Sequence, residues 1–274
     1  MNKFFCFFIP FLIFACGGNA PEGTNNDQSQ QEADTITVDT LASVDSLQNT
    51  FETSNQEVDV DVLIAKAKKS YDPPVAIDSV FISEYTNSEG EGYNLTGAEV
   101  KYLSKYTVEN TPTNMTSHFI STFIYLDSII TAGGWDDYES SLDLGMARYS
   151  TANAIGRINF GGGNFLLLWT TDYATYEACP YGYGTCVFGT FFMDDAALNT
   201  TLLGEISGGG DPPMWGAKLV TSKITQDEIT LHSLDQWGEE DYETLEEIVE
   251  KDELTCKMTI ATTGIRLDEE IKEQ

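Results

Sequence analysis

The stretch from Ile155 to Thr171, IGRINFGGGNFLLLWTT, limits what this chain can fold into more than any other. Two apolar runs meet at Gly161-Gly162-Gly163-Asn164, residues that accept the positive φ angles of a tight turn, so the segment predicts a β-hairpin. Phe165 to Trp169 is apolar at every position. A strand with no polar face has neither side in water, which places it in the middle of a sheet. Val187 to Met193 (VFGTFFM) reads the same way. Further on, AKLVTSKI and EITLHSL flank Thr225-Gln226-Asp227 and predict a second hairpin.

Other segments add to the pattern. In VKYLSKYTV, Val100, Tyr102, Tyr106 and Val108 share one face and Lys101, Lys105 and Thr107 the other, the alternation of a half-buried strand. HFISTFIYLDSII carries Phe119, Phe123, Leu126 and Ile130 at helix-compatible spacing, but its β-branched and aromatic content favours a strand. Val60 to Tyr71 predicts a short helix stopped by Asp72-Pro73-Pro74. Glu239 to Leu254, with Tyr242, Leu245, Ile248 and Val249 at helical spacing, predicts an amphipathic helix. Cys256 to Thr262 reads as a last strand. Roughly eight to ten strands result, and the expected fold is all-β, a mainly antiparallel sandwich or barrel with one late amphipathic helix. A single β-rich domain is expected over residues 71–274.

The first sixteen residues, MNKFFCFFIPFLIFAC, set an address. Lys3 precedes an apolar run from Phe4 to Ala15 that falls short of the roughly 18 residues a spanning helix needs. Pro10 in its middle also works against a long regular helix. Ile13-Phe14-Ala15-Cys16 resembles the lipobox of bacterial lipoproteins. That resemblance implies a signal peptide over residues 1–15 and a Cys16 that is lipidated on sulfur and becomes the new N-terminus. Gly17, not aspartate, follows the cysteine, which points to the outer membrane or cell surface. Residues 16–70 then read as a lipidated cysteine and an acidic tether, rich in Asn, Gln, Ser, Thr, Asp and Glu, whose composition cannot bury enough apolar area to offset ordering.

Charge and cysteines narrow the classes further. The formal net charge is -30, from 44 acidic against 14 basic residues, which excludes nucleic acid as a partner. Cys6 leaves with the signal. Cys179 and Cys186, in CPYGYGTC, are spaced for a tight loop and predict a disulfide in an oxidising compartment. Cys256, in TCKMTIAT, reads as a buried strand thiol.

Little in the chain suggests catalysis. His118 and His232 are the only two histidines, and both read as strand residues, His232 on a solvated face. No GxSxG, HExxH, P-loop or EF-hand pattern occurs. Asp136, Asp137 and Glu139 beside Trp135, Asp194 with Asp195, and Asp211 in SGGGDPPMW read first as turn residues. A glycan hydrolase would need two such acids roughly 5 to 10 Å apart. No cofactor is expected; calcium is the alternative, since close carboxylates such as Asp59-Val60-Asp61 could supply oxygen ligands, although no loop alternates them. Trp135, Tyr181, Tyr183 and Trp215, with Asp211, stand in Gly- or Pro-rich segments and are the ligand-binding candidates, although rings that merely cover the ends of a sheet would have the same setting. Gly133-Gly134-Trp135 and Thr171-Asp172-Tyr173 resemble the GxW and TDY of lipocalins, but strands precede the first and the interval is too short for that family, so both are read as chance matches.

The function expected from all this is an exported lipoprotein, held to the membrane through lipid on Cys16, whose non-catalytic β-domain binds a glycan or protein or supports the envelope. A carboxylate-dependent glycan hydrolase and a lipocalin-like barrel for apolar ligands are the alternatives.

Overall fold

A computed structural model describes residues 58–86, 94–104, 149–174, 181–211, 213–240 and 247–273, all within one unit, Thr53–Gln274. Three short helices, α1 (Val60–Lys66), α2 (Ser79–Ser83) and α3 (Gly97–Ser104), accompany ten strands: β1 (Lys69–Tyr71), β2 (Val75–Ile77), β3 (Tyr149–Gly161), β4 (Asn164–Ala174), β5 (Tyr181–Met193), β6 (Ala196–Gly210), β7 (Met214–Ile224), β8 (Glu228–Glu240), β9 (Glu247–Ala261) and β10 (Gly264–Glu273). The strands form one sheet ordered β1-β3-β4-β5-β6-β7-β8-β9-β10, with β2 beside β7. Among the described residues only β1 runs parallel to its neighbour, β3. The expected all-β, mainly antiparallel class is therefore what the chain adopts. Among the described residues the sheet does not close into a barrel, and no helix is long and apolar enough to cross a membrane.

The turns explain the meander. Gly161 pairs with Asn164 across Gly162 and Gly163, whose φ angles are +63° and +86°. A Cβ at Gly162 would meet nothing within 4 Å, so glycine serves there for backbone conformation and not for space. Asp194 and Asp195, at φ 49° and 65°, join β5 to β6 in the same left-handed region, which aspartate tolerates better than most residues. The predicted hairpin around Thr225-Gln226-Asp227 forms, with Ile224 opposite Ile229.

The core lies over the middle strands. Every residue of β4 from Phe165 to Ala174 is buried, as a strand without a polar face requires. Trp169 stacks on Phe188 with ring centroids 4.4 Å apart, and its Nε1 donates to Thr190 Oγ1 at 3.0 Å. Thr200 Oγ1 donates to the Leu103 carbonyl at 2.6 Å, so its single hydrogen is used and Thr190 must be the donor in the 2.8 Å bond between the two threonines. This directed chain links β4 through β5 and β6 to α3. At the far edge, the Asn199 amide pairs with β10 much as a strand would, donating to the Ile265 carbonyl and accepting from the Ile265 amide. β10 thereby packs back against β5 and β6.

Two expected elements differ. The strand read over Val100–Val108 begins instead as helix α3, with Val100 and Leu103 buried on one face. Thr96 and Glu99 form a capping box: the Thr96 amide donates to Glu99 Oε2 at 2.7 Å and the Glu99 amide to Thr96 Oγ1 at 3.3 Å. Those two bonds satisfy amides at the helix start and outweigh the alternation that suggested a strand. Residues 105–108 lie outside the described residues. The late amphipathic helix is not found among the described residues: Glu239 and Glu240 end β8 and Glu247–Leu254 open β9, ladder-bonded to β8. Its helical spacing depended on Tyr242 and Leu245, outside the described residues, and beyond them the β8 edge offers strand hydrogen bonds that propensity does not overrule. The predicted short helix forms only as α1, which ends at Lys66 and not at Asp72-Pro73-Pro74, because Lys69–Tyr71 pair with β3 as β1; α1 and most of β1 precede the boundary expected at residue 71 yet belong to the folded unit, with Leu63 fully buried. Residues 118–130 lie outside the description.

Candidate functional site

Residues opposite one another in an antiparallel ladder share a face, so register sorts the side chains at the sheet's ends. At the end where β5, β7 and β9 begin, Tyr181 lies opposite Gly210, directly before Asp211. Tyr183 is opposite Gly208, which is opposite Ala217. Trp215, two residues from Ala217, therefore shares a face with Tyr183. Each ring lies over a glycine: a Cβ at Gly208 would meet Tyr183 Oη at 2.8 Å, and one at Gly238 would meet Trp215 Cε2 at 2.8 Å. Glycine is needed at both places because the rings occupy the space of a side chain. Tyr183 remains 43% exposed.

The structure thus gathers four of the five expected ligand-binding residues, Tyr181, Tyr183, Asp211 and Trp215, at one end of the sheet. Trp135 lies outside the described residues. The opposite face of the same end carries an aromatic residue that the sequence reading missed. Gly182, Gly209 and Gly216 occupy one rung of the ladder, and Trp237 continues it. Trp237 Nε1 donates to Glu250 Oε2 at 2.9 Å. The alternation Leu231, Ser233, Asp235 extended by one step would have placed Trp237 on that face.

Further in on the face of Trp237 lies a buried polar cluster. Cys186 is opposite Glu205, and Ser207 is opposite Lys218, itself opposite Asp235. Lys218 Nζ is 3.5 Å from Asp235 Oδ1. Burial pushes the Glu205 carboxyl above its ordinary range, opposed by the Ser207 hydrogen bond and the Lys218 charge. Burial, with the Glu205 charge beside it, raises the Cys186 thiol well above its usual value. A thiol held protonated in this way is a poor nucleophile and a poor metal ligand. Cys186 is free and buried; Cys179, its expected disulfide partner, lies outside the described residues. Cys256 is buried, as expected of a strand thiol.

The remaining expected residues are scattered. Asp194 and Asp195 turn from β5 into β6 at the end opposite Asp211, separated by a 13-residue strand, on the order of 40 Å. They do not face Asp211 across a cleft. Asp59 Oδ1 accepts from the Val62 amide as the N-cap of α1. His232 is exposed on β8, its Nδ1 2.9 Å from Thr255 Oγ1. Among the described residues, no three His, Cys, Asp or Glu side chains are grouped to hold a metal ion. The Asp172 of Thr171-Asp172-Tyr173 is buried in β4 and accepts from Thr185 Oγ1 at 3.0 Å. Cys16, His118, Asp136, Asp137 and Glu139 lie outside the described residues.

No family model, curated protein or solved structure matches this chain.

Proposed function

We propose that this chain is an exported lipoprotein, anchored to the outer membrane or cell surface through lipid on Cys16, whose β-domain is a non-catalytic module that binds an envelope partner. The observation that carries the binding reading is the convergence of Tyr183, Asp211 and Trp215 at one end of the sheet, with Tyr183 43% exposed and seated on a glycine. Rings held this way present a flat apolar surface at little cost in side-chain entropy. The lipobox-like Ile13-Phe14-Ala15-Cys16 supports the anchor, and the acidic stretch after it supplies the reach that lifts the domain from the membrane.

Fractionating cells that express the chain with Cys16→Ala tests the anchor. The substituted protein is expected in the soluble fraction without lipid, whereas continued membrane association would overturn the anchoring. Tyr183→Ala with Trp215→Ala tests the binding end, in pull-downs against isolated envelope fractions. Retention equal to that of the unsubstituted protein would remove this end from the reading.

A further inference from the structure

We infer that the face of the sheet carrying Trp237 docks a basic polypeptide segment with aliphatic side chains. The inference rests on the binding reading above, extends it to the opposite face of the same end of the sheet, and names a class of partner for that face. Three apolar side chains on that face stand in water: Met214 is 60% exposed, Trp237 40% and Ile248 69%. They are neighbours. Glu239 lies opposite both Met214 on β7 and Ile248 on β9, and Trp237 is two residues before Glu239 on β8 between them. Apolar residues from three adjacent strands form one patch, which differs from the single exposed hydrophobics found on any protein. The bond from Trp237 Nε1 to Glu250 restricts the ring before a partner arrives, which lowers the cost of ordering it on binding, and tryptophan is among the residues enriched at the centres of protein interfaces.

Charge selects the occupant. Among the described residues from Glu239 to Glu253 there are six acids and one base, Lys251. On the patch face, Asp235 is opposite Asp252, Trp237 opposite Glu250, and Glu239 opposite Ile248, so carboxylates frame the tryptophan on both strands. Lys218 lies close to Asp235 alone among them. An anionic partner would be repelled, and a purely apolar one would desolvate the carboxylates with nothing to pair them. A segment that alternates lysine or arginine with aliphatic residues meets both requirements, and the acidic field would speed its approach.

The test uses the full chain in detergent micelles and three short fluorescent peptides, alternating Lys with Leu, Lys with Ser, and Glu with Leu, read by anisotropy at low and high salt. The Lys/Leu peptide is expected to bind at least about tenfold more tightly than either other peptide, and to weaken with salt. Trp237→Ala and Ile248→Ser should each cost about tenfold in affinity. Val80→Ser on α2, a residue as exposed as Ile248 at 69%, should cost nothing. Equal binding of the Lys/Leu and Lys/Ser peptides would reduce the effect to net charge and overturn the inference, as would unchanged affinity in both patch variants or no binding at all. Any of these results with membrane anchoring by Cys16 intact would reject this partner while leaving the lipoprotein reading in place.

Discussion

Ser207 donates a 2.5 Å hydrogen bond from Oγ to Oε1 of Glu205, while Oε2 of the same carboxyl is buried with no hydrogen-bond partner. Half a carboxyl left unpaired in the interior is costly when charged. The sequence explains how it comes to be there: alternation on β6 turns Glu205 and Ser207 to the same face, where Cys186 and Lys218 oppose them.

The sign of the resulting pH dependence follows from the raised pKa. Glu205 sits above its ordinary 4.5 in the folded chain because burial disfavours the charge. Stability associated with its protonated form is complete below the unfolded value and is lost as pH rises through the folded one. Glu205→Gln cannot ionise and retains an acceptor for Ser207. Relative to the unsubstituted chain, its thermal midpoint should therefore rise between pH 4 and pH 8. A difference between the two proteins that stays constant over that range would show that Glu205 does not carry the titration.

Gly204 and Gly182 separate glycines required by packing from glycines that are not. A Cβ at Gly204 would meet Ile77 Cγ2 at 2.7 Å and Ile82 Cδ1 at 2.9 Å, where β2 and α2 pack against β6, whereas one at Gly182 would meet nothing within 4 Å. Gly204→Ala should lower unfolding free energy by about 1–3 kcal/mol through overpacking. Gly182→Ala should be neutral or stabilise by up to about 1 kcal/mol, since it only restricts the unfolded chain. Urea midpoints measured side by side check both. Equal effects would mean that Ile77 and Ile82 yield freely.

The two buried cysteines give a chemical check. Cys186 and Cys256 are both fully buried, and the Cys186 thiol is held in its protonated, unreactive form. Iodoacetamide should leave both unmodified in the folded chain and alkylate both once denaturant is added, without any reductant. Peptide mass mapping reads the result. Cys186 that is alkylated only after reduction would restore the disulfide to Cys179 that its spacing suggested.

How much of this was legible in the sequence depends on how local each signal is. The hairpins at Gly161-Gly162-Gly163-Asn164 and Thr225-Gln226-Asp227 are specified by neighbouring residues and were readable. Helix α3 is also local, but its sign is the Thr96–Glu99 capping box, which the strand-like alternation after it masks. β9 was not local, because its acidic residues are extended by hydrogen bonds to β8 that no window around Glu247 contains. Tyr183, Asp211 and Trp215 stood out through their glycine-rich setting, although only the ladder brings them to one end. Glu205 is one of 44 acidic residues, and nothing beside it announces its burial. Its environment is assembled from β5, β7 and β8.

Trp215 and Gly238 permit a test in which the ring and the backbone are separated. A Cβ at Gly238 would meet both Trp215 Cε2 at 2.8 Å and the Ile248 carbonyl oxygen at 2.8 Å. Gly238→Ala should therefore displace the indole and strain the β8–β9 pairing together, at a combined cost of about 1–3 kcal/mol. In a Trp215→Ala background only the backbone clash remains, so the same substitution should cost less, with a coupling of at least about 0.5 kcal/mol in a double-mutant cycle. Acrylamide quenching of tryptophan fluorescence should increase in Gly238→Ala alone, as the indole leaves its seat. If the two substitutions simply add and quenching is unchanged, the ring is not held by the glycine, and the seating of aromatics on glycines at this end of the sheet loses its energetic basis.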